Sequence, residues 1–480
     1  MDTTSLPAAR RDVELAAFLD AFPGYRATAR VDDLRDAEFA RLDAHGDVYL
    51  DYTGGGLYAA SQVRAHAEQL LAQVYGNPHS SNPTSVRAGE LVERCRAHVL
   101  QYFNASPKEY AVVFVANASQ ALKLVGESFP FEPGSTFLLT FDNHNSVNGI
   151  REYVRARGAR TSYVPVLFPD MQADPAVVDQ RLETHASRAP NLFAFPAQSN
   201  FSGVQHPLEW VTQAQERGWT VLLDAAAFVP TNRLDLGVVH PDFVALSFYK
   251  MFGYPTGVGA LIARHRALAM LRRPWFAGGT ITVASVQADR HYLAPGAAAF
   301  EEGSPSYLAI PAVDLGLSLL ESIGIETIHT RVACLTGWLI DALGSLRHDN
   351  GEPLVRLYGP ASTTGRGATL ALNFYDRVGR HLDHRLIERQ ANRERISLRT
   401  GCFCNPGAGE TALGLSKREL DSCFLRSNRR MTFDDFRRCI DGKGSGAVRV
   451  SLGLASNFAD VQAMRHFAAQ FLEWSDGAED

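Results

Sequence analysis

The stretch FVALSFYKMFGYPTGVGALIA, residues 243–263, decides how the rest of the chain is read. It opens on an apolar run, Phe243 to Leu246, reaches a single lysine, Lys250, and enters a glycine- and proline-rich loop before a second apolar run, Gly257 to Ala263. An apolar run that stops at turn-forming residues reads as a buried strand ending at an edge. Lysine is costly to bury unless it is paired or chemically used. At a strand end, desolvation favours the neutral amine, a nucleophile able to form an imine. The plain alternative is a lysine that extends to solvent, and one lysine alone does not decide between them.

Working outward, the same pattern recurs. AVVFV (Ala111 to Val115), TFLLTF (Thr136 to Phe141), NLFAFP (Asn191 to Pro196), TVLLD (Thr220 to Asp224) and DFVALS (Asp242 to Ser247) each predict a strand, and GVGALIA closes the series. Helical spacing predicts helices over Gln120 to Ser128, Val147 to Arg157 and near Leu208 to Arg217. Apolar strands alternating with helices define an α/β chain with a mostly parallel sheet covered on both faces. Ligands of such sheets bind beyond the carboxyl ends of the strands. The candidates are therefore Asn117 to Ser119, His144, Gln198, Asn200, Asp224 and Lys250. Residues 1–45 read as helical, VYLDY (Val48 to Tyr52) as a strand broken by Gly54-Gly55-Gly56, and Leu308 to Leu343 as one long helical region. The remainder is α+β. The expected division is a large domain over 46–305 and a smaller one formed by 1–45 with 306–480.

The 480 residues are 46% hydrophobic and carry a net charge of −5, which gives no basic excess for nucleic acid or an anionic membrane surface. No apolar stretch is long enough to span a bilayer and no secretory signal is visible, so a cytoplasmic protein is expected. A disulfide framework is not expected of the six cysteines in such a chain. Four of them, Cys402, Cys404, Cys423 and Cys439, lie in the last fifth, where zinc or redox chemistry is worth testing.

Asp224, one strand before Lys250, can cap the next helix, or it can pair with the pyridine nitrogen of pyridoxal phosphate and keep that ring able to accept electrons. The turn Ala116-Asn117-Ala118-Ser119 offers backbone N–H groups and a hydroxyl to a phosphate, and Ser247 can add another hydroxyl. His144 can stack on a flat cofactor and move protons, or simply occupy a solvated capping loop.

Taken with YLDYTGGGLY (from Tyr49), YGNPHSSN (from Tyr75), FAFPAQSNFSGVQHPL (from Phe193), VLLDAAAFV (from Val221), SFYKMFGYPTGVGALIAR (from Ser247), FEEGSPSY (from Phe300) and LRTGCFCNPGA (from Leu398), these residues give a resemblance that runs in order along nearly the whole chain. The chain resembles the class V aminotransferase group of fold-type I pyridoxal-phosphate enzymes, and within it the cysteine-desulfurase-like domain of molybdenum cofactor sulfurases. The resemblance implies a large domain with a mostly parallel seven-stranded sheet and a smaller α+β domain. It implies that Lys250 links the cofactor, Asp224 holds the pyridine nitrogen and His144 stacks on the ring. Ala118, Ser119 and Ser247 would hold the phosphate. Asn200 and Arg449 would hold the substrate carboxylate, with Arg399 close by, since a guanidinium fork suits a carboxylate. Gly303 and Ser304 would reach the phosphate of a partner subunit, which implies a homodimer.

For Cys402 and Cys404 three readings are open: buried thiols, a zinc site completed by Cys423 and Cys439, and a nucleophilic thiol activated by Arg399. The spacing lacks a paired C-x-x-C. By the resemblance, the sixth residue of an R-x-G-x-x-C run forms the persulfide, and counting from Arg399 gives Cys404. The implied reaction is L-cysteine desulfuration, with Lys250 removing the α-proton, Cys404 taking the sulfur, alanine leaving, and a sulfur-acceptor protein as partner. A C–S lyase acting on cysteine or an S-conjugate, or a non-catalytic partner-binding scaffold, are the alternatives. Three features depart from the family pattern. The phosphate loop reads ANAS, Gly409 stands where the sulfurases carry a further cysteine, and the chain ends at Asp480, where the eukaryotic sulfurases continue into a domain that binds molybdenum cofactor.

Overall fold

The computed structural model describes residues 8–185, 188–425 and 446–474, with residues 431, 432, 435 and 439. Its main sheet has seven strands: β1 (Tyr110–Val115), β2 (Thr136–Thr140), β3 (Arg160–Val164), β4 (Leu192–Pro196), β5 (Thr220–Asp224), β6 (Phe243–Ser247) and β7 (Gly259–Arg264). Across the sheet they run β1-β7-β6-β5-β4-β2-β3. β7 is antiparallel to both its neighbours and every other pair is parallel.

Side chains alternate across a strand, and here the alternation divides the core in two. Phe193, Phe195, Val221, Leu223, Val244 and Leu246 pack in one cluster. Leu192, Ala194, Leu222, Phe243 and Ala245, one residue out of step, pack in the other. Both faces are dry, which is why these strands read as continuous apolar runs. Each large side chain so buried contributes about 1.5–3 kcal/mol. The edge strand β3, RTSYV, buries only Val164 fully and has no apolar run, so the sequence pattern passes over it.

Helix α1 (Pro83–Tyr102) precedes the sheet, and α2 (Ala118–Ser128) follows β1 with its N-terminus at the strand ends. The region expected as one long helix is two, α3 (Pro311–Ile323) and α4 (Ile325–Gly344). Gly324 between them has φ +82°, a left-handed conformation open to glycine that ends α3.

A second sheet, β8 (Val355–Tyr358), β9 (Thr369–Phe374), β10 (Arg399–Gly401) and β11 (Ala447–Ser451), is antiparallel in the order β8-β9-β11-β10. The N-terminal segment is fastened to this C-terminal region. Buried Arg35 pairs with Asp43 at 2.8 Å and with Asp460 at 2.6 Å, and Arg331 pairs with Asp32. The strand expected over Val48 to Tyr52 shrinks to Val48–Tyr49, paired in parallel with Ile396–Ser397, and Asp51 forms a single bridge to Ser451. It stops there because the chain turns: the N–H groups of Gly54 and Gly55 both donate back to the Asp51 carbonyl.

The expectation of no disulfide is corrected at one pair. Cys423 and Cys439 are joined, their Cα atoms 5.6 Å apart, within the span a disulfide bridges. Neither is then a thiolate for zinc. Among the described residues no group of three or more His, Cys, Asp or Glu side chains is arranged to hold a metal, and no helix is long and apolar enough to cross a membrane.

Candidate active site

A cavity of about 320 Å³ opens beyond the carboxyl ends of β1, β2, β4, β5 and β6. Parallel β2, β4, β5 and β6 end at one level, so the residues just after them converge. His144, Asn200, Asp224, Ser247 and Lys250 all line the cavity, together with Ala118 and Ser119 at the start of α2. Gln198 and Asn117, also expected from the sequence, line it as well.

Lys250 Nζ makes no hydrogen bond to any described residue. Burial pushes its ammonium below the ordinary lysine range; Asp224 opposes the drop, and Arg449 and Arg399 add to it. Asp224 is buried and its Oδ1 accepts from the N–H of Ala226 at 3.1 Å, but residues 225–231 form turns and no helix starts there, so the helix-capping alternative read from sequence is not met. His144 Nδ1 accepts from the N–H of Ser146 at 3.1 Å. The proton of the neutral ring therefore sits on Nε2. Burial holds His144 below the usual histidine range, against the raising effect of Asp224. The ring is thus a neutral donor through Nε2 rather than an open proton acceptor.

At the start of α2 the backbone N–H of Ala118 donates to Ser247 Oγ at 2.9 Å, and Ser119 Oγ meets Ser146 Oγ at 2.6 Å. The first N–H groups of a helix have no intrahelical acceptor, so this end offers N–H groups and hydroxyls to an anion. Asn117, the departure from the family pattern, has a structural use: its Oδ1 caps α2 by accepting from Gln120 N at 3.0 Å. Gly259 on β7 passes this turn so closely that a Cβ there would lie 2.7 Å from the Asn117 Cα.

The glycine triplet after Asp51 lies on the other side of the lysine turn, where Gly56 lines a smaller pocket that Lys250 also borders. Gly56 N donates to the Tyr249 carbonyl at 3.0 Å, and a Cβ on Gly56 would lie 2.9 Å from the Lys250 carbonyl oxygen. The segment read from sequence only as a strand breaker is what lets the N-terminal chain lie against the lysine turn.

Cys402 and Cys404 are both exposed, which sets aside the buried-thiol reading. Phe403 and Cys404 have φ of +54° and +55°, two consecutive left-handed residues that throw the loop into a bend. The bend is anchored from beneath. Asn200 Nδ2 donates to the Phe403 carbonyl at 2.7 Å, and the N–H of Asn145, next to His144, donates to the Cys404 carbonyl at 2.6 Å. Buried Asn405 donates to the Asp142 carbonyl at 2.6 Å and to Asn200 Oδ1 at 2.9 Å, and its own Oδ1 caps the helix α5 (Pro406–Ala412). Asn200, expected to hold substrate, thus commits its amide to the thiol loop. Asn405 was not picked out from sequence, although asparagine before proline is a helix-start signal.

Arg449 is buried on β11. Its Nη1 donates to the Asn200 carbonyl at 3.0 Å, its Nη2 to Asp51 Oδ1 at 2.7 Å, and its guanidinium lies 4.9 Å over the Phe403 ring. Arg399, half-exposed on β10, reaches the other oxygen of Asp51 at 2.8 Å and is near enough to Cys404 for their charges to interact. Ser304 does not line this cavity within one chain; its Oγ accepts from Asn77 at 2.9 Å. Asp51 is the functional candidate that sequence reading missed, because it sat inside an apparent strand while its partners lie some 350–400 residues away.

The model of the aminotransferase class-V family matches residues 48–464. The chain belongs to that family. It is 36% identical, over 488 aligned positions, to a molybdenum cofactor sulfurase of Solanum lycopersicum, covering 95% of this chain and 59% of that protein. It is 38% identical over 457 positions to the molybdenum cofactor sulfurase of Bos taurus, covering 91% of this chain and 51% of that protein. The chain thus spans between half and three-fifths of the length of these relatives. Among solved structures, the apo cysteine desulfurase of Thermococcus onnurineus NA1 matches with a TM-score of 0.75 at 20% identity, covering 92% of this chain and 98% of that one. The cystine C-S lyase C-DES, in complex with cysteine persulfide, matches with a TM-score of 0.67 at 18% identity, covering 88% and 98%. These two share the fold.

Pyridoxal 5′-phosphate is the cofactor of this family, and the residues present fit it. An unpaired lysine amine, a buried carboxylate, a neutral imidazole and a helix N-terminus with hydroxyls surround one cavity of suitable size. The chain is a pyridoxal-phosphate enzyme.

Proposed function

We propose that this chain is a cysteine desulfurase that transfers the sulfur of L-cysteine to Cys404 and releases alanine. The observation that carries the reading is the anchored bend at Phe403 and Cys404: it presents an exposed thiol from a loop fixed to Asn145 and to the cavity-lining Asn200, beside Arg399.

Lys250, Asp224 and His144 would hold the cofactor ring, and Ala118, Ser119 and Ser247 its phosphate. When bound, the cofactor supplies an electron sink next to the α-carbon of the amino acid. Lys250, with its amine pushed toward neutrality by burial, is suited to take the α-proton. Arg449 binds the α-carboxylate and fixes the amino acid's orientation. His144 donates from Nε2 and does not move a proton from Nδ1, which is already engaged. The Cys404 thiolate attacks the substrate sulfur: the Cβ–S bond breaks, an S–S bond forms, and the carbon skeleton is protonated to alanine. One cysteine and one thiol give one alanine and one persulfide, with no outside oxidant. A sulfur-acceptor protein would take the persulfide sulfur onward, and the names of the relatives make a molybdenum-cofactor protein the first acceptor to try. The working form would be a homodimer of two-domain subunits, with Ser304 reaching the partner's phosphate site. Exposed apolar residues on two neighbouring segments, Val74, Val86, Trp275, Phe276, Val286 and Tyr292, support such a contact.

The test is to incubate the cofactor-loaded protein with L-cysteine and measure alanine, pyruvate and sulfur on Cys404. Alanine with a persulfide on Cys404 supports the reading. Pyruvate and free sulfide, undiminished in Cys404→Ala, would instead make it a C–S lyase.

A further inference from the structure

Asp51 divides its carboxylate between two arginines. Oδ1 accepts from Nη2 of buried Arg449 at 2.7 Å, and Oδ2 accepts from Nε of half-exposed Arg399 at 3.0 Å, with Arg399 Nη2 in ion-pair range at 2.8 Å. The three groups together carry one net positive charge. Tyr49 and Tyr249 stand against them but stay protonated: burial first, and then the charge of Asp51, pushes the Tyr49 phenol up to about 12, and burial likewise raises Tyr249. Arg449 Nε is buried with no hydrogen-bond partner among the described residues, so this guanidinium retains an unused donor. Arg399 turns its Nε and Nη2 edge to Asp51 Oδ2. The arrangement needs the glycine that follows: a Cβ on Gly54 would lie 2.4 Å from Asp51 Oδ2 and 2.7 Å from Arg399 Nη2.

We propose that Asp51 is a specificity-determining residue that leaves the Arg449 and Arg399 pair with one net positive charge, so that the site accepts an amino acid with one carboxylate and an uncharged side chain and rejects one with a second acidic group. The inference rests on the reading of Arg449 as the α-carboxylate site. Two arginines without Asp51 would bind a dicarboxylate or a cysteine sulfinate, one anion on each fork. Asp51 occupies the Nε and Nη2 edge of Arg399 and puts a negative charge between the two guanidiniums, and like charges brought together at a binding site cost affinity. Cysteine, with a neutral thiol, meets no such penalty.

The test uses the cofactor-loaded protein and measures binding rather than turnover, by following the cofactor's absorbance as L-alanine or L-aspartate is titrated in. The native protein is expected to bind alanine more tightly. In Asp51→Asn the ratio of the aspartate Kd to the alanine Kd is expected to fall by at least about tenfold. In Asp51→Asn combined with Arg399→Gln, which returns the net charge to one positive, the ratio is expected to return toward the native value. A merely structural Asp51 would weaken both ligands alike, and a ratio changed by less than about threefold overturns the proposal. Should Asp51→Asn fail to fold, Arg399→Gln alone decides: it leaves Asp51 against Arg449, and the ratio must rise. An unchanged ratio there also overturns the proposal. Arg449→Gln separates the two levels. If it leaves alanine binding intact, the reading of Arg449 fails and takes the proposal with it. If it abolishes alanine binding while the ratio ignores Asp51, only the proposal fails.

Discussion

Lys250 and Cys404, the two residues on which the chemistry would turn, are supported in different ways. Lys250 follows β6, a strand buried on both faces whose neighbours are hydrogen-bonded on either side. Its position is set by some of the most buried packing in the molecule. Cys404 sits in an exposed bend with two left-handed residues, held by side-chain amides from Asn200 and Asn405 and a backbone N–H from Asn145. A rigid frame suits the cofactor, whose ring and phosphate must not shift. A thiol that must meet a substrate and then a sulfur acceptor needs exposure, and a few asparagine contacts locate it without burying it.

The comparison can be broken at either end. Lys250→Ala should have the largest effect, a loss of roughly 10³-fold or more in alanine formation, and borohydride should no longer fix the cofactor to the chain. Next, Cys404→Ala should lower turnover by roughly 10²-fold while cofactor binding is retained, whereas Cys402→Ala should stay within a few-fold of native; equal losses in the two would erase the distinction between the thiols. Asn405→Ala sharpens the contrast. It removes a buried amide with two donor contacts and a helix cap, an expected cost of about 2–3 kcal/mol in denaturant unfolding, and activity should fall more than cofactor affinity does.

The smallest effect concerns packing away from the site. His98 on α1 bonds Asp314 at 2.6 Å and Glu321 at 3.0 Å on α3. The Asp314 bond foremost, with Glu321 adding to it and burial opposing, raises its pKa above the ordinary histidine value. A raised folded pKa contributes stability that is fully present below the unfolded value, about 6.5, and is lost as pH rises through the folded one. The thermal stability difference between native and His98→Gln should therefore be greatest on the acid side, about 1 kcal/mol, and shrink at alkaline pH.

What was legible in the sequence follows the same divide. The strands β1, β2, β4, β5, β6 and β7 announce themselves as apolar runs because both faces are dry, and Lys250, Asp224 and His144 follow from their ends. Edge strand β3 has no such run and was missed. Gly324, which splits the long helix, is a single residue in an otherwise helical pattern. The Cys423–Cys439 disulfide contradicts an expectation drawn from composition, since cysteine content does not say which two backbones approach. Asp51 and Asn405 were invisible for a common reason. Their meaning lies in partners far along the chain, Arg449 for one and Asp142 for the other, and local patterns hold no information on such pairings.

The most direct measurement is a single turnover with excess cofactor-loaded protein over L-cysteine, quantifying alanine and locating the added sulfur by mass spectrometry of the peptide that contains Cys402 and Cys404. The account predicts one alanine for each persulfide, with the sulfur on Cys404. Pyruvate in place of alanine, or alanine formed while Cys404 stays unmodified, would contradict it.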